Sequence, residues 1–473
     1  MKNRRWLGTG VPIGRSAILP FVLFGTFATA ALFIGEARVT TQSFGSFQAK
    51  DPGVRGGDPG AGGTLAGLSA TQQEYFEAGK EDFEDPETVA DGLGPRMNLD
   101  SCGGCHAQPA VGGSSPFVNP QVAFASQDGG KDSVPAFLRA NGPVREARFV
   151  RNADGTADGG VHAIFTITGR DGAAGCFLTQ PDFDNQLAKN NVIFRIPTPV
   201  FGAGLIEQIP DSAILANQAD NSSVKRTLGI RGRPNFHVAG RTITGQTNNN
   251  GNDGTIARFG WKAQNKSMVL FSGEAYNVEM GITNELFQTE REEKGSCQFA
   301  GTPNSVTNTD EADSVNVVAS IDKFSLFMRF LDQPVASPNS PGGASSIANG
   351  RSLFSSVGCA LCHTPQLKTG RSTIAALNNK FVNLFSDLLI HDMGDGLADG
   401  VSQGEAGPRE FRSAPLWGLG QRVFFLHDGR TSNLISAIKA HSSNGSEANS
   451  VIQNFFNLSD RQEQDLLNFL RSL

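Results

Sequence analysis

The chain has 473 residues, with Lys plus Arg at 40 against Asp plus Glu at 46. That length supplies cores for two to four domains and excludes a small disulfide-stapled scaffold. Four of the positive charges (Lys2, Arg4, Arg5 and Arg15) precede the first apolar run, so without them 36 positives face 46 negatives, a charge of −10. So acidic a body has no electrostatic footprint for nucleic acid. Its 56 glycines and 23 prolines, without a collagen-like period, describe a loop-rich globular protein.

In chain order, the first element is a leader. Residues 17–35 (AILPFVLFGTFATAALFIG) are uncharged, follow a basic segment and contain a small-residue site at Ala28-Thr29-Ala30. This is the layout of an export signal, and the run is nearly long enough to anchor in a bilayer, so residues 1–35 are either a cleaved signal or a membrane anchor. In both cases the body is exported to the periplasm, soluble or held at the inner membrane. Residues 36–69, rich in Gly and Pro, are expected to be a flexible linker. Two further breaks follow, a polar loop at Thr244–Gly254 and a Pro/Ser/Gly stretch whose centre, 334–345, is expected to link two domains.

The chemistry is carried by two C-x-x-C-H motifs, Cys102-Gly-Gly-Cys105-His106 and Cys359-Ala-Leu-Cys362-His363. This spacing suits covalent c-type haem, because two thiols reach the two vinyl groups of one porphyrin and the adjacent imidazole becomes the proximal iron ligand. A structural zinc site would need further Cys or His at its usual spacing. The expected cofactors are therefore two covalently bound haems c. Cys176 and Cys297 remain, an exported pair that suits a disulfide or two separate buried thiols.

The chain also repeats itself. Gly79-x-x-x-Phe83 precedes the first motif and Gly350-x-x-x-Phe354 the second. Behind the motifs, Arg233-Pro-Asn pairs with Ala414-Pro-Leu, and Arg258-Phe-Gly-Trp261-Lys-Ala with Phe425-Leu-His427-Asp-Gly-Arg430. The run Glu274 to Glu279 then pairs with Ser436 to His441. Each half closes with an amphipathic helix, Asp322–Leu331 and Gln462–Leu473. The expected fold is mainly α with irregular loops and minor β: two cytochrome c-like haem domains at 70–333 and 346–473, the first enlarged by an insertion between its haem motif and Arg233.

The repeat aligns Glu279 with His441. If each faces its own haem, the second iron is closed by His363 and His441, and the first keeps His106 on one side with a carboxyl group over an open face. A closed iron passes electrons, whereas an open one binds small molecules. The rival ligands for the second iron are His391 and Met393. The rival carboxylate at the first is Glu207, which also suits a helix cap. Arg430 suits a haem propionate, and Trp261 and Trp417 are candidates to lie between the haems. Met97 and Met280 suit packing.

These motifs, with the segments 354–370, 388–430, 195–210 and 258–283, resemble the bacterial di-haem c-type oxidoreductase family of peroxidase-like proteins, and more distantly the di-haem cytochrome c peroxidases. The resemblance implies that peroxide or another small oxidant reacts at the N-terminal haem, with Glu279 as acid/base, while the C-terminal haem passes on electrons from a small redox protein. It also raises calcium between the haems. Peroxidases of the reductively activated kind carry a removable His soon after the first motif; here residues 107–161 contain none, so either His162 or His237 plays that part from farther away or the first iron is never closed. The alternative reading is a pure electron-transfer protein with both irons closed.

Overall fold

The computed structural model describes residues 47–236, 256–290 and 294–473, together with the backbone of two short strands at Thr242–Ile243 and Gln246–Thr247. The leader, most of the polar loop after Thr244, and His237 lie outside the described residues. Residues 47–473 form one compact unit. Secondary structure is mixed, 33% helical and 11% strand, rather than mainly helical. Much of the difference lies between the first haem motif and Arg233, where Glu146–Phe149 pairs antiparallel with Val161–His162 and with Val192–Arg195. Strands of two to four residues are too short to leave a readable period in the sequence.

The repeat takes physical form in two crossed helix pairs. An opening helix, Ala70–Glu84, packs on a closing helix, Ser320–Phe330; a second opening helix, Gly343–Val357, packs on a second closing helix, Asp460–Ser472. The glycine of each G-x-x-x-F sits at the crossing. A Cβ on Gly79 would lie 2.2 Å from the Lys323 carbonyl oxygen, and one on Gly350 would lie 2.0 Å from that of Asp465. One turn on, Phe83 packs 5.0 Å from the Phe327 ring and Phe354 packs 5.5 Å from Phe469. The hydrophobic face that drives each crossing is thus anchored by an aromatic ring and admitted by a missing side chain.

The middle of the repeat needs one correction. Arg233 is not the counterpart of Ala414; it pairs with Glu410 (2.6 Å) and bridges to Ile390. The structural equivalents are Pro199-Val-Phe-Gly202-Ala-Gly204 and Pro415-Leu-Trp-Gly418-Leu-Gly420. Gly202 and Gly418 share left-handed φ values of 63° and 70°. A Cβ on Gly204 or Gly420 would meet a closing-helix carbonyl, that of Arg329 at 2.0 Å or Arg471 at 2.1 Å. The shared Pro in both stretches drew the alignment to the wrong partner. Further on, Phe259 bridges Asn265 as Phe425 bridges Thr431, so Trp261 corresponds to His427, one position from a residue-by-residue match of 258–263 with 425–430.

The two hydrophobic cores interlock. Leu367, Leu377, Val382, Leu384 and Leu388 complete the core built on Phe76, Phe201 and Phe327, while Ala49 and Ile230 join the one built on Phe354 and Phe469. The described part of the expected flexible linker, 47–69, is packed. Arg471 donates to both Asp51 oxygens at 2.8 Å, with both side chains buried, and the Leu65 N–H donates to the Phe330 carbonyl at 2.8 Å. Composition read as looseness here because the anchors, one acid and one leucine, are sparse.

Cys176 and Cys297 form a disulfide between buried positions 121 residues apart. Replacing both by serine is expected to lower unfolding free energy by about 4 kcal/mol through the freed denatured chain. Denaturant melts with and without reductant check this, and an unchanged midpoint would refute it.

Candidate functional site

The first candidate site is built on a single helical turn, Cys102–Cys105, whose N-terminus is capped by Ser101 accepting the Gly104 N–H at 3.2 Å. His106 follows, its Nδ1 3.0 Å from the Gly113 carbonyl. That partner keeps the proton on Nδ1. Burial holds the imidazole pKa down to about 4, so the ring is neutral at pH 7 and suited to bind a metal. These residues line a cavity of about 1170 Å³ that also takes in Glu146, Arg148, Trp261 and Glu279. Among the described histidines only His106 lines it. His162 lies outside, stacked 3.7 Å from the Phe149 ring and 2.8 Å from Asp158.

Glu279 reaches the cavity from the last turn of the helix Met268–Met280. Gly281 ends that helix at φ 75°, where a Cβ would stand 2.5 Å from the Arg96 carbonyl. The tight stop presses the last turn against Asn98, whose N–H donates to the Glu279 carbonyl at 2.6 Å and whose amide donates to Oε2 at 2.5 Å. Burial, and then the charge of Glu146, push the Glu279 pKa well above the usual carboxyl range. Burial opposes the charge of Glu146 as well, but Arg148, with Nε 2.5 Å from Oε1, overrides it and draws that pKa to about 2. The rival Glu207 accepts the Met268 N–H at 3.1 Å and pairs with Arg329 at 3.1 Å, so it caps the helix from outside. Met97 and Met280 are buried in the core.

The second cavity, about 1310 Å³, is lined by Cys359, Cys362, His363, His391, Met393 and His441. His363 turns Nδ1 to the Phe385 carbonyl (3.1 Å) and His441 turns Nδ1 to that of Ala437 (2.8 Å), so both direct Nε2 elsewhere. Burial keeps both imidazoles neutral, His363 down to about 4. Their ring centres are 6.5 Å apart. With a metal–nitrogen bond of about 2 Å and roughly 1.2 Å from nitrogen to ring centre, two imidazoles on opposite sides of one metal stand about 6.4 Å apart. The residues present therefore fit a haem iron. His391 is instead held between Asp387 (3.1 Å) and Glu447 (3.0 Å).

Arg430 lies outside this lining, with its guanidinium on Asp428 (2.7 Å) and the Gly396 carbonyl (2.7 Å). Arg412 and Arg422, which sequence reasoning missed, line the cavity. Burial lowers both to about 10, so they stay charged, and neither forms a carboxylate ion pair among the described residues. Buried cations facing a cavity call for an anionic occupant, and haem propionates supply one. Trp261 lines both cavities, its indole N–H donating to the Ile196 carbonyl at 2.9 Å. Its counterpart His427 touches it edge-on, 6.4 Å between ring centres, and stacks on Phe411 at 4.3 Å. Trp417 lines neither cavity and belongs to the first core.

Among the described residues no cluster of three or more His, Cys, Asp or Glu is arranged to hold a metal ion such as calcium, and no helix is long and apolar enough to cross a membrane.

A family profile described as "di-haem oxidoreductase, putative peroxidase" matches residues 146–473. No curated protein matches the chain. Among solved structures, the diheme peroxidase BthA from Burkholderia thailandensis aligns over 90% of this chain and 92% of its own, with 14% identity and a TM-score of 0.37. A MauG-like protein associated with microbial copper homeostasis aligns over 59% and 90%, with 17% identity and a TM-score of 0.28. Hydrazine synthase from Kuenenia stuttgartiensis aligns over 34% of this chain, with 16% identity and a TM-score of 0.21; the chain spans 56% of that protein's length.

Proposed function

The chain belongs to the di-haem oxidoreductase family, and from that premise we propose that it is a peroxidase-like enzyme with two covalently attached haems c. Cys102, Cys105 and His106 would hold the first haem, and Cys359, Cys362, His363 and His441 the second, with Arg412 and Arg422 facing its propionates. Bound there, the haems would supply reduction of peroxide at the first site and electron storage at the second.

The remaining work falls to side chains. Glu279 lines the first cavity with a carboxyl group whose hold on its proton is strengthened by burial and by the charge of Glu146, so it can give and take back a proton as peroxide is split. His441 opposes His363 and denies the second site to small molecules. Trp261, bordering both cavities, supplies an aromatic path between them. The export leader puts the enzyme in the periplasm, where a small redox protein would be its electron donor.

The observation that carries this reading is the difference between the cavities: a pair of imidazoles 6.5 Å apart in one, and in the other a single imidazole, among the described residues, with the Glu279 carboxyl group in the same lining. In the protein with both haems in place, Glu279→Gln is expected to slow peroxide turnover by about 10²-fold or more; full activity would remove Glu279 from the reaction. Cyanide should change the spectrum of one haem only, and a spectrum it leaves untouched would favour the pure electron carrier.

A further inference from the structure

We propose that Glu146 is the second half of the acid/base device at the first site: with Glu279 it forms a carboxyl–carboxylate pair that shares one proton, resident on Glu279, and stores the proton displaced when peroxide arrives. The inference rests on the peroxidase reading above and adds a residue to it. Its basis is geometric. Glu146 opens the strand Glu146–Phe149 and Glu279 closes the helix Met268–Met280, 133 positions later, yet both face one cavity and are hydrogen-bonded to each other. Two carboxyl groups bond in this way only when one is protonated.

Their other partners decide which. Glu146 is clamped by Arg148, the next residue on its face of the strand, whose Nη1 is in turn fixed by donating to the Gly159 carbonyl at 2.9 Å. Arg195, on the paired strand, adds a second cation near Glu146. Glu279 accepts the neutral amide of Asn98 on Oε2 and feels the charge of Arg148 without an ion pair to it, the Arg148 Nε being taken by Glu146. The negative charge therefore rests on Glu146 and the proton on Glu279. The other ionisable groups lining the cavity are Arg145, Glu274, the neutral His106 and, until haem is attached, the thiols of Cys102 and Cys105. Asn265 donates to Glu274 on the helix face one turn back.

A protonated Glu279 cannot by itself take a proton from peroxide. With Glu146 beside it, one Glu279 oxygen accepts the peroxide proton while the other hands its own proton to Glu146. When the O–O bond breaks, Glu146 returns its proton to Glu279, and Glu279 delivers one to the departing oxygen. One proton has moved from the first peroxide oxygen to the second, the pair ends as it began, and the electrons come from the haems of the proposed reaction.

The test compares Glu146→Gln, Glu146→Asp and Glu279→Gln in protein carrying both haems, by stopped-flow peroxide reaction across pH and by infrared spectroscopy. The resting wild type should show a protonated carboxyl band that Glu279→Gln abolishes. Glu146→Gln removes the charge that raises Glu279 and leaves Arg148 facing it, so Glu279 should ionise at lower pH. Its pH limb should move down by at least one unit, a tenfold change in the ionisation constant, and the peroxide step should slow about tenfold or more. Glu146→Asp keeps the charge and should leave the limb near its wild-type position. A limb that Glu146→Gln does not move, an equal shift in both Glu146 variants, or a wild type without the carboxyl band would overturn the proposal. Full activity in Glu279→Gln would instead overturn the function on which it rests.

Discussion

Replacing His441 with glycine is expected to convert one of the two haems from a closed, low-spin centre to one that binds carbon monoxide, with added imidazole restoring the original spectrum. His441 has no role in the core that glycine would abolish: it follows the short helix Leu434–Lys439, faces the second cavity and is aimed by a single bond from Nδ1 to the Ala437 carbonyl. Its loss removes the one imidazole that stands 6.5 Å from His363. His391 and Met393 line the same cavity, but His391 is held by two carboxylates. An unchanged spectrum in the glycine variant would mean that one of those two side chains, and not His441, holds the sixth position.

The second large effect concerns the scaffold. Gly350→Ala puts a methyl group 2.0 Å from the Asp465 carbonyl oxygen and 2.6 Å from the Phe469 Cβ. Neither the closing-helix backbone nor a Cβ can step aside as a flexible side-chain tip can, so the two helices must separate. The cost is expected to be about 3 kcal/mol, at the upper end for overpacking. Phe354, one turn further on, lines the second cavity, so the same shift should lower haem incorporation at Cys359 and Cys362. Gly56, which has nothing within 4 Å of its missing Cβ, is the control, with an expected effect within about 0.5 kcal/mol. Equal melting curves for the two alanine variants would refute the crossing argument.

Much of this arrangement was legible because local spacing carries it. The C-x-x-C-H motifs, the G-x-x-x-F turns and the closing helices are each set by contacts within a few residues or by one helix period. Glu279 and His441 each line the cavity of their own half, but the bridges Phe259–Asn265 and Phe425–Thr431 are offset by 166 positions and these two residues by 162, so the shared register does not itself align them. What escaped depends on distant partners. Glu146 and Arg148 lie in a strand too short to read by period, although opposite charges two apart share one face of a strand, and that signal was available. Arg412 and Arg422 gain meaning only from having no carboxylate partner among the described residues, and no spacing rule displays a missing partner. Arg430 looked apt beside Asp428, and that same neighbour keeps its guanidinium occupied.

The interlocked cores bear on the order in which this protein can be made. The first cannot shut before residues 367–388 have been synthesised, and the second waits for the final helix. Until then the four thiols of both C-x-x-C-H motifs, which pack against these two cores, are not yet enclosed, so the haems proposed above could still reach them. A chain whose halves sealed independently would have buried its first pair of thiols while the second half was still being translated; this one holds both doors open to the last.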